Sequence, residues 1–548
     1  MKKRLFYVTL ISIVCITALT GCARNEVSAE PPPPPEQKLT FSVTSLPTID
    51  PQRFNSESSY IVIKGFKEGL ITVFNGELRP GVAERWEFAP DNMSVTFHLR
   101  RDAKWSDGTP LTAHDFLFAF RRLANPENEF ERRYMLSKIV NGEEIISGGD
   151  EVPVEALGVY APDNHTFTIR FNTPAPYFIY ALDMPIFYPV RRAMVERYGE
   201  AFATSADKII GNGPFVIEEY LSDRRIRMVP NEHYWNRDAV KLEEVTILVL
   251  DADSALAAFR RGTLDMINIP RPLTADFLSG DSGFQTSPVL PYMEGSIEWF
   301  SINTASEKNV ILSNRYFRRA LNYALDRERY IEEATDSVHL PATRLVHPDV
   351  PGFYEQHPID VFETAADIER ARQYLVTAMN AVGTANTVDV HISVKVPDTA
   401  AARRIAEHCK EQWEQALGIN VTVEVVSARA LIAAHTAGNF DIILKELYPD
   451  FNDPITYLGG FVSDSPLNGG QFNNVRFDAL ISAANTSRQQ HTRFAYLAEA
   501  ERILLEESAV IPLHIRQRAW AFRPALRNFI RSYWGARSDF RFAYFGLD

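Results

Sequence analysis

Three stretches carry residue types that could do covalent or cofactor chemistry. Gly280-Asp281-Ser282-Gly283 has the outline of a hydrolase nucleophile loop, where a serine hydroxyl needs a nearby histidine base. Phe284 stands where a further glycine is required and no histidine-bearing companion motif lies upstream, so a turn is the expected role. Gly211-Asn212-Gly213 opens like a dinucleotide fingerprint, but Val216 replaces its third glycine and Pro214 interrupts the helix start. No G-x-x-x-x-G-K-[ST] occurs, so ATP hydrolysis by this chain is not expected. The twelve histidines contain no H-E-x-x-H pair, and no thiolate metal site can be assembled from three cysteines of which one survives processing unmodified. Glu506-Glu507 sits on a helical pattern and reads as a solvated face. Nothing in these residues demands catalysis.

The elements around them alternate. Strand patterns occur at Leu39–Val43, Val95–Leu99 and Thr166–Phe171. Thr112 and Asp115 have capping-box spacing ahead of Phe116, Phe120 and Leu123 on one helical face. Further helices are predicted from Asn314 through Ala324 and over Ala401–Leu417, the latter stopped by Gly418. Strands Val421–Val426 and Phe440–Leu444 follow. No repeat of 20–50 residues is visible, and the gross class is α/β. At 548 residues with 45% hydrophobic and 23% charged side chains, two or three domains are expected rather than disorder or a polytopic membrane protein. A formal charge of −13 disfavours nucleic acid, whose binders need a basic surplus.

The first 21 residues read as an export signal. Lys2, Lys3 and Arg4 precede an uncharged run from Leu5 to Leu19, too short to span a bilayer comfortably. Leu19-Thr20-Gly21-Cys22 resembles the lipobox of bacterial lipoproteins, which implies cleavage before Cys22 and a lipid on its thiol. No later stretch reaches 18 apolar residues, so that lipid is the expected membrane anchor. Cleavage removes three positive charges and takes the formal charge from −13 to −16. Cys15 leaves with the signal. Cys409, beside Ile405 and Trp413, is expected to be a buried small hydrophobe rather than a nucleophile. Residues 22–37 include five prolines at 31–35, an extended polyproline spacer between anchor and body.

The segment Phe97-His98-Leu99-Arg100-Arg101-Asp102-Ala103-Lys104-Trp105-Ser106-Asp107-Gly108-Thr109-Pro110-Leu111-Thr112-Ala113-His114-Asp115-Phe116 closely resembles the signature of bacterial extracellular solute-binding proteins of the peptide-binding family. Further landmarks follow in the family's order: Glu68-Gly69-Leu70, Pro80 to Trp86, Asn212-Gly213-Pro214-Phe215, Tyr234-Trp235-Asn236, Gly262-Thr263-Leu264-Asp265 and Phe317 to Leu321 with Asp326-Arg327. The resemblance covers about residues 38–548 and looks strongest toward the oligopeptide-binding members. It implies an α/β, two-lobed periplasmic-binding-protein fold, with an extra domain on the first lobe and a hinged ligand cleft. Lobe I maps to 38–70, 196–298 and 511–548, the extra domain to 71–195 and lobe II to 299–510. It also implies a monomeric, non-enzymatic component of an ABC importer in the periplasm or at the cell surface. Such a protein needs no cofactor or metal, and passes oligopeptides to a permease served by separate ATPases.

By the same resemblance, Asp450 in Tyr448-Pro449-Asp450-Phe451-Asn452-Asp453-Pro454 matches the aspartate that pairs with the ligand's α-ammonium. The alternative role is a cap on the turn it shares with Asn452 and Asp453. An extended peptide adds to the protein as a strand, its main chain recognised and its side chains in roomy pockets. Asn55, Ser56 and Glu57 would supply one edge, Glu446 and Tyr448 the other, and Phe472 a site-lining aromatic; each reads equally well as a plain loop residue. Two positions depart from the pattern. His435 and Leu444 stand where relatives carry basic residues for the ligand's C-terminal carboxylate, and Pro449 replaces a small or apolar residue before Asp450. Lys445, Arg403 and Arg404 lie nearby as substitutes. These departures keep open other ligands on the same fold: a nickel chelate, haem, a modified cell-wall peptide, or a longer peptide projecting from the cleft. An exported hydrolase has only Gly280–Gly283 in its favour, and adhesion or signalling leaves no mark in the sequence.

Overall fold

Two long strands, Val289–Ile302 and Val510–Phe522, run antiparallel through the middle of an eleven-stranded mixed sheet in the computed structural model. The structure describes residues 35–546 except 47, 55, 75–76, 149–151, 270–272, 274–288, 336–338 and 532–537. On one side of the long pair lie Ile442–Leu447, His391–Pro397 and Asn420–Val426, with the last three strands mutually parallel. On the other side lie Met266–Asn268, Lys38–Val43, Glu244–Val249, Arg225–Pro230 and Phe215–Leu221. The two long strands are thus shared by both halves of the sheet. Their register slips between Met293 and Ile297 and again between Glu298 and Trp299. Such bulges bend a strand and sharpen its twist, and here they fall where the strands pass from one half to the other.

A separate antiparallel sheet, in the order Ala83–Phe88, Ser94–Leu99, Thr166–Arg170 and Val159–Asp163, carries the helix Ala113–Ala124 on its face. The capping box at Thr112 and Asp115 forms, and Phe116, Phe120 and Leu123 are buried, with Phe116 and Phe120 against Phe167. Helix Arg315–Tyr323 starts on the Asn314 side-chain cap, and helix Ala400–Leu417 ends on Gly418 at φ +70°. Cys409 is fully buried on that helix, and burial, partly opposed by Arg327, pushes its thiol up to about 12. Trp413 lies against Phe300 and donates its indole N–H to the Leu321 carbonyl at 2.9 Å.

One strand boundary differs from expectation. The segment predicted as Phe440–Leu444 is strand at Ile442–Leu447. Asp441 bonds to the Ser393 N–H and Phe440 stacks on His435 instead, so both stop short of the ladder. Gly211 and Gly213 have a packing role. A Cβ on Gly211 would meet the Phe66 carbonyl at 2.1 Å, and the N–H groups of Asn212 and Gly213 both donate to that oxygen. The pair lets a loop close onto the C-terminal end of helix Glu57–Phe66. Gly280–Gly283, Cys22 and the signal lie outside the described residues. Among the described residues, no helix is long and apolar enough to cross a membrane.

Candidate functional site

Strand Val510–Phe522 is apolar apart from His514 and a run of three polar residues, Arg516-Gln517-Arg518, near its middle. Alternation puts Arg516 and Arg518 on one face, and they reach in opposite directions. Arg516 bonds Glu298 on the neighbouring long strand at 2.6 Å, Glu446 at 2.8 Å and the Tyr448 hydroxyl at 2.9 Å. Arg518 lies 4.0 Å from Glu57 at the start of helix Glu57–Phe66. A single strand therefore links residues on both sides of the sheet that the family pattern had singled out separately. Burial raises the Glu446 pKa, Arg516 opposes that, and Glu298 adds to it. Ser296 donates a further hydrogen bond to Glu446 at 3.2 Å.

Asp450 begins beyond the end of strand Ile442–Leu447 and looks away from its own turn. Its carboxylate accepts from Arg132 at 3.2 Å and from the Tyr134 hydroxyl at 3.2 Å, both on the 3₁₀ segment Glu131–Lys138. Arg132 also lies over the Phe54 ring at 4.9 Å. Burial raises the Asp450 pKa, and Arg132 and Tyr134 only partly oppose it. A carboxylate in that condition gains from any further cation. Capping of the following turn falls to Asp453, whose Oδ1 accepts from the Ile455 N–H at 2.9 Å while the carboxylate is held bidentately by Arg493. Beside it Tyr177 stacks on Phe451 at 5.9 Å, so the segment around Asp450 is braced against the smaller sheet's neighbourhood.

The remaining singled-out residues are distributed as follows. Ser56 caps helix Glu57–Phe66 by accepting from the Ser59 N–H, and Asn55 lies outside the described residues. Phe472 is buried edge-on against Phe477. His435 is half-buried on helix Ala428–Thr436, stacked on Phe440, with its pKa lowered to about 4 by burial and by Lys445. Leu444 is in the core. Of the basic residues considered in place of the absent arginines, Arg403 is exposed and paired with Asp398 at 2.5 Å, and Arg404 donates to the Ala334 carbonyl. Lys445 lies beside His435 on strand Ile442–Leu447. Arg516, Arg518, Glu298, Arg132 and Tyr134 were missed. The Arg-Gln-Arg interruption of an apolar strand was a usable signal for the first two, whereas Arg132 and Tyr134 carried none.

The model of bacterial extracellular solute-binding proteins, family 5 (middle region), matches residues 77–469. The chain is 29% identical over 529 residues to the periplasmic murein peptide-binding protein MppA of Escherichia coli, covering 95% of this chain and 96% of that protein. It is 27% identical to the oligopeptide-binding protein OppA of Bacillus subtilis, over 100% of both chains. The solved unliganded open form of the murein tripeptide-binding protein MppA matches with a TM-score of 0.82 at 26% identity, covering 93% of this chain and 97% of that one. The fold is the two-lobed architecture of periplasmic peptide-binding proteins. With motif, architecture and full-length similarity in agreement, this chain belongs to the bacterial extracellular solute-binding proteins of family 5.

Proposed function

We propose that this chain captures oligopeptides between its two lobes and hands them to the permease of an ABC importer, without catalysis of its own. The carrying observation is Asp450, a partly desolvated carboxylate facing Arg132 and Tyr134 from a different part of the chain. A peptide's α-ammonium completes its charge. Ser56 and Glu57 on one side and Glu446 and Tyr448 on the other flank an extended main chain; the family pattern assigns Asn55, outside the described residues, to the former edge. We assign 38–70, 196–298 and 511–548 to lobe I, 71–195 to the extra domain and 299–510 to lobe II on the family resemblance, a reading the division of strands described above supports. The likeness to an unliganded open form supports reading this arrangement as the open state, with ligand binding shifting it toward closure about the long strands. A lipid on Cys22 and the proline spacer would hold a monomeric body at the membrane, in the periplasm or at the cell surface.

The test is calorimetry of the mature protein with tri- to pentapeptides bearing free or acetylated amino termini. Free peptides are expected to bind and acetylated ones to lose most of their affinity. Asp450→Ala should abolish the difference, since truncating one member of a desolvated charge pair costs about 2–5 kcal/mol. Binding indifferent to both changes would overturn the assignment. A second reading, a modified cell-wall peptide as the preferred ligand, is favoured by the similarity to MppA. Direct competition between a murein tripeptide and a linear tripeptide separates the two.

A further inference from the structure

We propose that a second cavity, where the smaller sheet meets the junction of helices Val475–Thr486 and Gln490–Glu506, binds a small aromatic molecule carrying a carboxylate. Its volume is about 330 Å³. That lies at the lower end of the range for small-molecule sites, about 300–1,000 Å³. None of the described residues assigned above to the peptide lines it, so the site stands apart from that reading.

Two separate parts of the chain build the walls. Trp86 and Phe88 lie two residues apart on edge strand Ala83–Phe88, a spacing that puts both on one face of the smaller sheet. Tyr177 and Tyr180 join them from the short helix Phe178–Ala181 and the residue before it. Opposite stand Arg488, between the two long helices, and Arg493, in the first turn of the second. The buried Asn92 side chain donates to the Thr486 carbonyl at 3.4 Å and ties one wall to the other.

The apolar wall has rings to spare. Trp86, Phe88 and Tyr180 are half-buried, and among the described residues none of these rings packs on another ring. A flat ring entering the cavity gains their surface and the edge or face contacts that aromatic pairs prefer. The polar wall has donors to spare. Arg493 is 5% exposed and holds Asp453 through its two Nη groups, while its Nε–H is buried without an acceptor. Arg488 is exposed, and among the described residues no hydrogen bond or ion pair engages it. Aromatic walls alone would suit a cation as well. Here the one carboxylate among the described lining residues, Asp453, is already taken by Arg493, which leaves the Arg488 charge unbalanced. The site therefore selects an anion, and a carboxylate offers two acceptor oxygens to a guanidinium fork.

The experiment is calorimetry of the mature protein with indole-3-acetate, its neutral amide and the cation tryptamine. Wild type should bind the acid about fivefold more tightly than the amide, the scale of a partly exposed ion pair, and tryptamine more weakly still. Arg488→Met should bring acid and amide to equal affinity. Because Arg488 is exposed, that variant should keep the wild-type melting temperature and peptide binding. Trp86→Leu should weaken acid and amide alike by about three- to tenfold, the worth of one aromatic contact. Saturating trialanine should leave the acid bound; if it expels the acid, the acid sits in the peptide cleft and the proposal fails. No binding of the acid by wild type at about 1 mM, equal affinity for all three probes, or an acid preference that survives Arg488→Met would each overturn it. None of these outcomes touches the peptide reading, which free and acetylated peptides test separately.

Discussion

Replacing Arg132 tests whether the protein guards the ligand site proposed at Asp450. Arg132 and Asp450 are 3.2 Å apart, with side chains 28% and 31% exposed, and they are 318 residues apart in the chain. An ammonium approaching Asp450 must displace this guanidinium or share the carboxylate with it. A partly exposed pair of this kind is worth at most about 1 kcal/mol, which is about a fivefold factor in an equilibrium constant. If Arg132 competes, the site is fully available only in the fraction of molecules where the pair is open, and apparent affinity falls by that fraction. Arg132→Met keeps an apolar stem over Phe54 and removes the charge. It should tighten binding of free-amine peptides by about three- to fivefold and leave acetylated peptides unchanged. The gain should shrink between 0.1 M and 1 M salt, as the screening length falls from about 10 Å to about 3 Å. Isothermal titration at the two salt concentrations reads both effects. Weaker binding of free-amine peptides by Arg132→Met would refute the reasoning, because it would place Arg132 among the groups that hold the ligand.

Two further outcomes concern the scaffold. Glu501 is fully buried, bonded by Arg344 at 2.5 Å and by the N–H groups of Leu345 and Val346 at 2.9 Å each. Glu501→Gln strands the Arg344 charge and should cost about 3 kcal/mol or more, seen as a lowered urea midpoint; a loss below about 1 kcal/mol would contradict the assignment. Asp539 is buried, which raises its pKa, but Arg541 and Lys64 outweigh this and hold it at about 2. A depressed carboxylate contributes stability that is complete above its unfolded pKa and is lost as pH falls through the folded one. Melting temperature should therefore carry an Asp539 contribution of about 2 kcal/mol that disappears between about pH 4 and pH 2, and Asp539→Asn should flatten that interval.

Much of the fold was legible because its signals are local. The Thr112–Asp115 box, the helix start at Asn314 and the Gly418 stop are each encoded within four residues and appear as expected, with Asn314 serving as the cap. Burial of Cys409 followed from its apolar neighbours on one helical face. The strand starting at Ile442 was placed two residues early because Phe440 and Asp441 look strand-like in isolation. Only their partners, His435 and Ser393, show why they stop short. The glycines at 211 and 213 were legible as a broken nucleotide motif, but not as the close approach to Phe66 that requires them.

By itself the amino-acid sequence determined the class and the family pattern, and its resemblance to that family suggested the address and the positions proposed to hold a ligand. The class follows from spacing along the chain, where propensity, capping and periodicity act over a few residues; the rest is what the family resemblance implies. The tertiary structure alone decided how those positions are partnered: Asp450 against Arg132 and Tyr134, Glu446 and Tyr448 on Arg516, Glu57 near Arg518, and Lys445 opposite Trp299. Electrostatic and hydrogen-bond energies depend on distance through space and on desolvation, and strand register determines both for residues that lie hundreds of positions apart.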